Sequence, residues 1–193
     1  MTDLIKMTTG LASLQSRGLT KMRRLLVLGL LIFSMFAACP ATQAQTYEQA
    51  KVAQTRNALA TADGARIKAA VNKYSKIYGI ERELIYAVIL TESGFNKNAR
   101  SSGGCGGLMQ LAPATFRARN VGTNIYDVDQ NVHAGVKHLA GLKGRYHGDT
   151  TRMLAAYNYG GGRIHPNKPI PVGAQKYANK VLYHKRIVQQ VTL

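Results

Sequence analysis

Acidic residues are scarce in this chain. Of its 193 residues, 26 are lysine or arginine and 9 are aspartate or glutamate, a formal net charge of +17. With so few carboxylates, the place of each one is informative. Cysteine is scarcer still: Cys39 and Cys105 are the two in the sequence, and they have no zinc-ligand spacing. The histidines, His133, His138, His147, His165 and His184, form no HExxH pattern, and His133 and His138, five positions apart, fall on different faces of a helix. The sequence therefore offers no metal site and calls for no cofactor. Neither glycine-rich stretch, SSGGCGG at 101–107 or YGGGRIHPNKP at 159–169, is followed by Lys-Ser or Lys-Thr, which excludes a P-loop. No two-residue alternation persists over six positions, so strands do not organise the fold. The leading apolar run, LLVLGLLIFSMFAA at 25–38, is too short for a membrane span, which needs roughly 20 residues.

That run has a different use. Lys21, Arg23 and Arg24 precede it and the small-residue stretch ATQA at 41–44 follows it, the order of a secretory signal peptide. Cleavage is expected after Ala44, with translation starting at Met1 or Met22. An uncleaved anchor is one alternative. A lipoprotein attached through Cys39 is the other, although Phe36-Ala37-Ala38 matches a lipid-attachment box poorly. The mature chain is thus expected in the periplasm, with Cys105 left alone and unable to form an internal disulfide. It keeps 21 basic and 8 acidic residues, a net +13. Such a charge favours anionic partners, whether nucleic acid, a membrane surface or an acidic polymer. No nucleic-acid motif and no basic segment interleaved with aromatics is present, and export argues against a nucleic-acid partner.

Residues 45–64 read as a polar, alanine-rich lead-in with no core of its own. Residues 65–193 read as one all-α domain. Ile67, Val71, Tyr74 and Tyr78 make one helical stripe that Gly79 ends. ERELIYAVILTES at 81–93 is the next helix. Val132, Val136 and Leu139 mark another over 129–142, 151–158 a short one, and Val181, Leu182 and Val188 a last one from Tyr177 to about Val191. Pro113 marks a helix start. Long glycine-rich loops connect these helices and are where function is expected.

The apolar run of the second helix ends on a carboxylate, Glu92. Residues three, four and seven apart share a helix face, so Glu92 lies in line with Ile89, Val88 and Ile85. Glu83, half a turn away, is expected in solvent. Partial burial disfavours the charged form of a carboxyl, and the negative end of the helix dipole acts in the same direction. A glutamate with a pKa near ~4.3 is protonated about 0.2% of the time at pH 7, and one near ~6 roughly 10%. A carboxyl that keeps its proton near neutrality can serve as a general acid. A glutamate at a helix end can also simply reach water.

Three segments taken together narrow the choice: ESGFNKNARSSGGCGGLMQ at 92–110, AAYNYGGGRI at 155–164, and a tyrosine-bearing final helix from QKYANKV at 175. The series resembles the soluble, Slt-type lytic transglycosylases of the lysozyme-like superfamily, in particular the small accessory enzymes of secretion, conjugation and pilus systems. The resemblance covers about residues 66–185. It implies a lysozyme-like all-α fold and a peptidoglycan substrate, with secretion, conjugation or pilus machinery as possible partners and a monomeric state. It implies Glu92 as the single acid/base, with Ser93 fixing the turn. Ser101 and Gln110 would bond the sugar, and Gly107, Leu108 and Met109 would form the wall of the cleft. Tyr157 and Asn158 would meet substrate from the opposite side, and Tyr177 would complete that set by pointing its hydroxyl at Glu92. Met109 and Leu108 could equally belong to the core. The chain departs from the family pattern at Ser102, at Cys105-Gly106 before GLMQ, and at Gly173-Ala174 before the last tyrosine.

Ordinary glycosidases use two carboxyls, roughly 5–5.5 Å or 6.5–9.5 Å apart. Glu81 and Glu83 lie about 13–17 Å of rise up the helix from Glu92, and none of the remaining acids is an evident partner. The resemblance implies non-hydrolytic cleavage between N-acetylmuramic acid and N-acetylglucosamine, with 1,6-anhydromuramic acid as product. Two alternatives stay open: a hydrolytic muramidase with Asp127 or Asp129 as second carboxyl, and a catalytically idle peptidoglycan-binding assembly protein.

Overall fold

The structure, a computed structural model, describes residues 40–192. The apolar run, Met22 and Cys39 lie outside the described residues. Among the described residues every regular element is a helix: α1 (Pro40–Leu59), α2 (Ala62–Tyr78), α3 (Arg82–Glu92), α4 (Pro113–Arg119), α5 (Val128–Arg145), α6 (Thr150–Tyr159) and α7 (Val172–Thr192). The expected cleavage point after Ala44 falls inside α1.

The chain divides into two units, Met1–Tyr47 and Glu48–Leu193. The described part of the first is the opening of α1, where the Thr46 hydroxyl donates to the Gln43 carbonyl at 2.8 Å. The second unit begins earlier than the expected boundary at residue 65. Thr55 and Leu59 of α1 are buried, Gln190 donates to the Glu48 carboxylate at 2.5 Å, and Gln54 reaches the Gly94 carbonyl at 3.4 Å. The polar composition of this helix conceals the attachment, because Thr55 is buried with its hydroxyl satisfied by the Lys51 carbonyl at 2.8 Å.

α3 is the axis of the domain. Every residue from Leu84 to Leu90 is buried, as expected of a helix surrounded by others and apolar on all sides. It packs most extensively on α7. α2 lies on α5, α6 contacts both α5 and α7, and the short α4 rests on α5. Each fully buried aliphatic side chain along α3, such as Ile85 or Ile89, contributes roughly 1.5–3 kcal/mol. Local signals fix the ends of the other helices. Thr61 caps α2 by accepting from the Gly64 N–H at 2.9 Å, and Gly79 ends it with a left-handed φ of 61°. Asp127 and Asp149 cap α5 and α6 by accepting from the Gln130 and Arg152 N–H groups, and Pro113 opens α4.

Two expectations shift. Glu83 is half-buried beside Arg82, at 3.5 Å, rather than fully solvated. α7 begins at Val172, five residues before Tyr177, directly after Pro171. The early start takes in Gly173, where a Cβ would collide with the Tyr159 hydroxyl. The departure from the family pattern at 173 thus makes room for a tyrosine of α6.

Candidate active site

α3 delivers Glu92 as its last residue. The Ser93 N–H and hydroxyl both donate to the Ile89 carbonyl, at 3.0 and 3.1 Å, closing the final turn. Gly94 and Phe95 then take left-handed φ values of 59° and 71°. For phenylalanine that conformation costs roughly 1–3 kcal/mol, offset by burial of its ring. The reversal brings the following loop, with Ser101, Cys105 and Gln110, to the same cavity as Glu92.

The Glu92 carboxyl is half-buried and accepts a 2.5 Å hydrogen bond from the Tyr177 hydroxyl on α7. Burial raises its pKa above the ordinary 4.5. The Tyr177 hydrogen bond and the charge of Lys180 pull it back in part. Tyr177 itself is pushed well above 10, first by burial and then by the neighbouring Glu92 charge, so it stays a neutral donor. Tyr177 does not line the cavity. It sits behind Glu92 and orients it, a correction to its grouping with residues that touch substrate.

The GLMQ segment is pinned from beneath. Asn131 of α5 is buried, accepts from the Met109 N–H at 2.8 Å, and donates to the carbonyls of Gly106 and Ile125 at 3.1 and 2.7 Å. Leu108 and Met109 are wholly buried members of the core. With Gly107 they support the cavity from below, and none of the three lines it, which corrects their assignment as cleft wall. The physical reason is the turn: Gly107 at φ 78° and Gln110 at φ 45° direct the two apolar side chains inward. Gly135 of α5 permits the approach, since a Cβ there would collide with the Met109 sulfur.

Gln110 does line the cavity, but both hydrogens of its amide are engaged by the carbonyls of Ala99 and Gly107, each at 2.9 Å. Its carbonyl oxygen is the atom left to meet a ligand. Ser101 is at the exposed edge, its hydroxyl accepting from the Cys105 N–H at 3.0 Å. Tyr157 and Asn158 border the cavity from α6. The Tyr157 hydroxyl is spent on the Met109 carbonyl at 2.8 Å, so only its ring is presented.

The cavity, of about 720 Å³, also takes in Tyr159, Gly160, Gly161 and Arg163 of the second glycine-rich segment, together with Thr115 and His138, none of which has an expected role of its own. For His138 a signal existed. Asn131, Gly135 and His138 stand at i, i+4 and i+7 on α5, a polar face beside the apolar one of Val132, Val136 and Leu139. Burial lowers the His138 pKa to about 4, with help from Arg119, so this imidazole is neutral at pH 7. Its ring lies 5.3 Å from that of Tyr157.

Glu92 is the one carboxylate that lines the cavity. The other described acids are engaged elsewhere. Asp127 caps α5 and binds Arg66 at 3.0 Å, Asp129 accepts from the Tyr74 hydroxyl at 2.7 Å, and Asp63 meets Lys97 at 2.9 Å. Asp149 meets Arg152 at 3.3 Å, and Glu81 pairs with Lys185. Asp127 and Asp129 thus have no place opposite Glu92. Among the described residues no group of three His, Cys, Asp or Glu could hold a metal ion.

The chain is similar to known proteins. The chain is 37% identical over 105 residues to a membrane-bound lytic murein transglycosylase F from Desulfosudis oleivorans, 51% of this chain and 23% of that protein. It is 41% identical over 83 residues to a transglycosylase of Enterobacteria phage PRD1, 43% of this chain and 31% of that protein. The chain therefore spans less than a third of the length of these curated relatives. Among solved structures, an inactive mutant of the lytic transglycosylase Slt from Pseudomonas aeruginosa superposes with a TM-score of 0.57 at 26% identity, covering 64% of this chain and 24% of that one. The 70 kDa soluble lytic transglycosylase of Escherichia coli gives 0.59 at 21% identity, with 64% and 24% covered, a likeness of fold. The family model described as "Transglycosylase SLT domain" matches residues 69–179, more than half of the chain, from within α2 through both members of the Glu92–Tyr177 pair, and the chain belongs to that family.

Proposed function

We propose that this protein is a peptidoglycan lytic transglycosylase in which Glu92 is the sole acid and base. The observation that carries the reading is a cavity with one carboxylate, half-buried, raised in pKa and oriented by Tyr177. In the reading, protonated Glu92 gives its proton to the oxygen linking N-acetylmuramic acid to N-acetylglucosamine as the C1–O bond breaks. The carbonyl oxygen of the muramic acid N-acetyl group stabilises the cation at C1. Glu92, now a carboxylate, takes the proton of the same sugar's 6-hydroxyl while O6 bonds to C1. The product is 1,6-anhydromuramic acid, no water is consumed, and Glu92 ends protonated for another cycle. Ser101, the Gln110 carbonyl oxygen, Asn158 and the Tyr157 ring are the groups that would hold the strand.

The same proposal includes export. Residues 1–44 act as a cleaved signal peptide, residues 45 onward form a monomeric periplasmic domain, and its work is local wall remodelling for a secretion, conjugation or pilus apparatus. The basic segment before the apolar run and the small residues at 41–44 support it. The basic surface suits the carboxylates of peptidoglycan.

The test is mass spectrometry of sacculi digested by the wild-type chain and by Glu92→Gln. Wild type should release 1,6-anhydro muropeptides and Glu92→Gln should release at least 1000-fold less while remaining folded. Reducing-end products from wild type would mean hydrolysis. Absence of turnover by wild type would mean an idle binding protein.

A second expectation concerns stability. The folded state holds the Glu92 proton more tightly than the unfolded chain does. The group therefore favours folding fully below about 4.5, and that contribution is lost as pH rises through the raised folded value. Glu92→Gln, which cannot ionise, should raise the unfolding temperature at pH 7, and the gain should vanish below pH 4. An equal gain at both values would mean that the carboxyl is not strained by burial.

A further inference from the structure

A second cavity, of about 410 Å³, opens at the other end of α3 from Glu92, among α1, α2, α3 and α7. Arg82 on its rim is ten residues before Glu92, about 15 Å of helix rise. The rim is cationic: Arg56, Lys68 and Arg82 line it and no acid does. Arg82 is partly engaged, donating to Asn72 at 3.4 Å and lying 3.5 Å from Glu83. Arg56 and Lys68 form no ion pair among the described residues and are exposed. Beneath the rim the lining is apolar, made by Leu59, Val191 and the ring of Tyr86.

Tyr86 is the unusual member. It is 4% exposed as a residue, and its hydroxyl, which forms no hydrogen bond within the described chain, keeps contact with the open space of the cavity. Burial pushes its pKa up to about 12, against the lowering effect of Arg82. A tyrosine with a buried ring and an open hydroxyl can donate to whatever enters beside it. This one belongs to the lining of a cavity whose other polar groups are nearly all cations.

We propose that this cavity binds the stem peptide of a peptidoglycan strand, with carboxylates held by Arg56, Lys68 and Arg82, a small apolar side chain set against Leu59 and Val191, and the Tyr86 hydroxyl donating to a carboxylate or peptide carbonyl. The inference rests on the reading of the chain as a peptidoglycan enzyme and adds a second hold on the same polymer, away from the scissile bond. Its cations and its apolar floor call for a ligand with both characters. A bare phosphate would leave the floor uncovered. A bilayer is flat where this site is recessed. A nucleic acid would want an exposed ring to stack on, and the Tyr86 ring is buried. A short peptide that alternates carboxylates with methyl groups uses the whole lining and fits the volume.

The probe is the sugar-free peptide L-alanyl-γ-D-glutamyl-meso-diaminopimelyl-D-alanine, titrated by calorimetry into the full chain. Wild type should bind it. Reversal of both unpaired cations, Arg56→Glu with Lys68→Glu, should weaken binding at least 10-fold, and Tyr86→Phe about 3-fold. The preference of the enzyme for peptide-bearing over peptide-stripped strands should fall in the same order. If the reversal compromises folding, Arg56→Ala and Tyr86→Phe carry the test alone. Peptide binding that all these variants leave intact would overturn the proposal. So would failure of wild type to bind the peptide, including a case in which it instead binds phosphatidylglycerol vesicles through the same cations. Glu92→Gln should bind the peptide as wild type does. The titration thus reports on this site even if sacculi digestion were to show hydrolysis or no turnover.

Discussion

A Cβ added at Gly107 would collide with the Asn131 amide and lie 2.5 Å from the Ile125 carbonyl oxygen, whereas one added at Gly162 would meet nothing within 4 Å. The two residues belong to the two glycine-rich segments that border the same cavity. At 101–107 the chain is tied at close intervals: Ser101 exchanges hydrogen bonds with Cys105, Gly106 pairs with Leu111, and Asn131 fills the space beneath. At 159–169 the backbone closes short turns on itself, the Arg163 N–H donating to the Gly160 carbonyl at 3.0 Å, and long side chains tie these turns to the rest of the fold. Arg152 donates to the carbonyls of His165 and Lys168, both at 2.8 Å, and the Tyr146 hydroxyl to those of Gly161 and Ile164 at 3.1 and 2.8 Å. Ile164 is buried as an anchor while Gly160 and Gly162 stay exposed. Similar composition therefore serves opposite ends. Gly107 is glycine because nothing larger fits, whereas Gly162 is glycine where there is room to spare.

The largest effect is expected at Gly107. Alanine there must hold φ near 78° and displace Asn131, two penalties that together should cost about 3 kcal/mol or more. Turnover of sacculi should fall at least 100-fold as the Met109–Gln110 segment shifts. Chemical denaturation and product release measure the two. A loss below 1 kcal/mol would mean that the loop is not close-packed, and the contrast with the second loop would disappear.

These differences bear on what could be read beforehand. Glu92 was legible because helix periodicity is local: its line with Ile89, Val88 and Ile85 needs nothing beyond α3, and all three are fully buried. Its partner was not legible from spacing. Tyr177 is 85 residues away, and only the family resemblance pointed to it. Leu108 and Met109 lie in a segment without a period, where an apolar pair can face a ligand or the core equally well. What decides is Asn131, whose amide holds the turn over from below. A polar residue near the start of an amphipathic helix reads as a solvated position, and only its line with Gly135 and His138 marks Asn131 as anything else. α1 was hidden for a related reason, since a buried threonine with an internally satisfied hydroxyl looks like any polar residue in a sequence.

A smaller but still clear effect is expected from Asn131→Ala. The change strands the Met109 N–H, which Asn131 accepts from at 2.8 Å, and removes the donors to the Gly106 and Ile125 carbonyls. Each buried group left unpaired costs about 1–3 kcal/mol, and partial relaxation should bring the total to about 2–4 kcal/mol. Turnover should drop about 10-fold, less than for Gly107→Ala because no new atom intrudes. Urea titration with an activity assay on the same samples checks both. A neutral result would assign the rigidity of the first loop to its own backbone hydrogen bonds and leave Asn131 a bystander.

The smallest effect is expected at Gly162, where the comparison is sharpest. Its φ is not in the left-handed region and no atom waits for a Cβ, so alanine should fit without strain. Fewer conformations of the unfolded chain would then favour folding by up to about 1 kcal/mol. Turnover should change less than twofold if the space beside Gly162 stays empty when substrate is bound. A loss of 10-fold or more, with stability kept, would carry a different meaning. The free protein shows no neighbour there, so the neighbour would have to be the glycan itself, drawn close to a bare backbone. The second loop would then resemble the first after all, with the contact supplied by the substrate instead of by an asparagine of the fold.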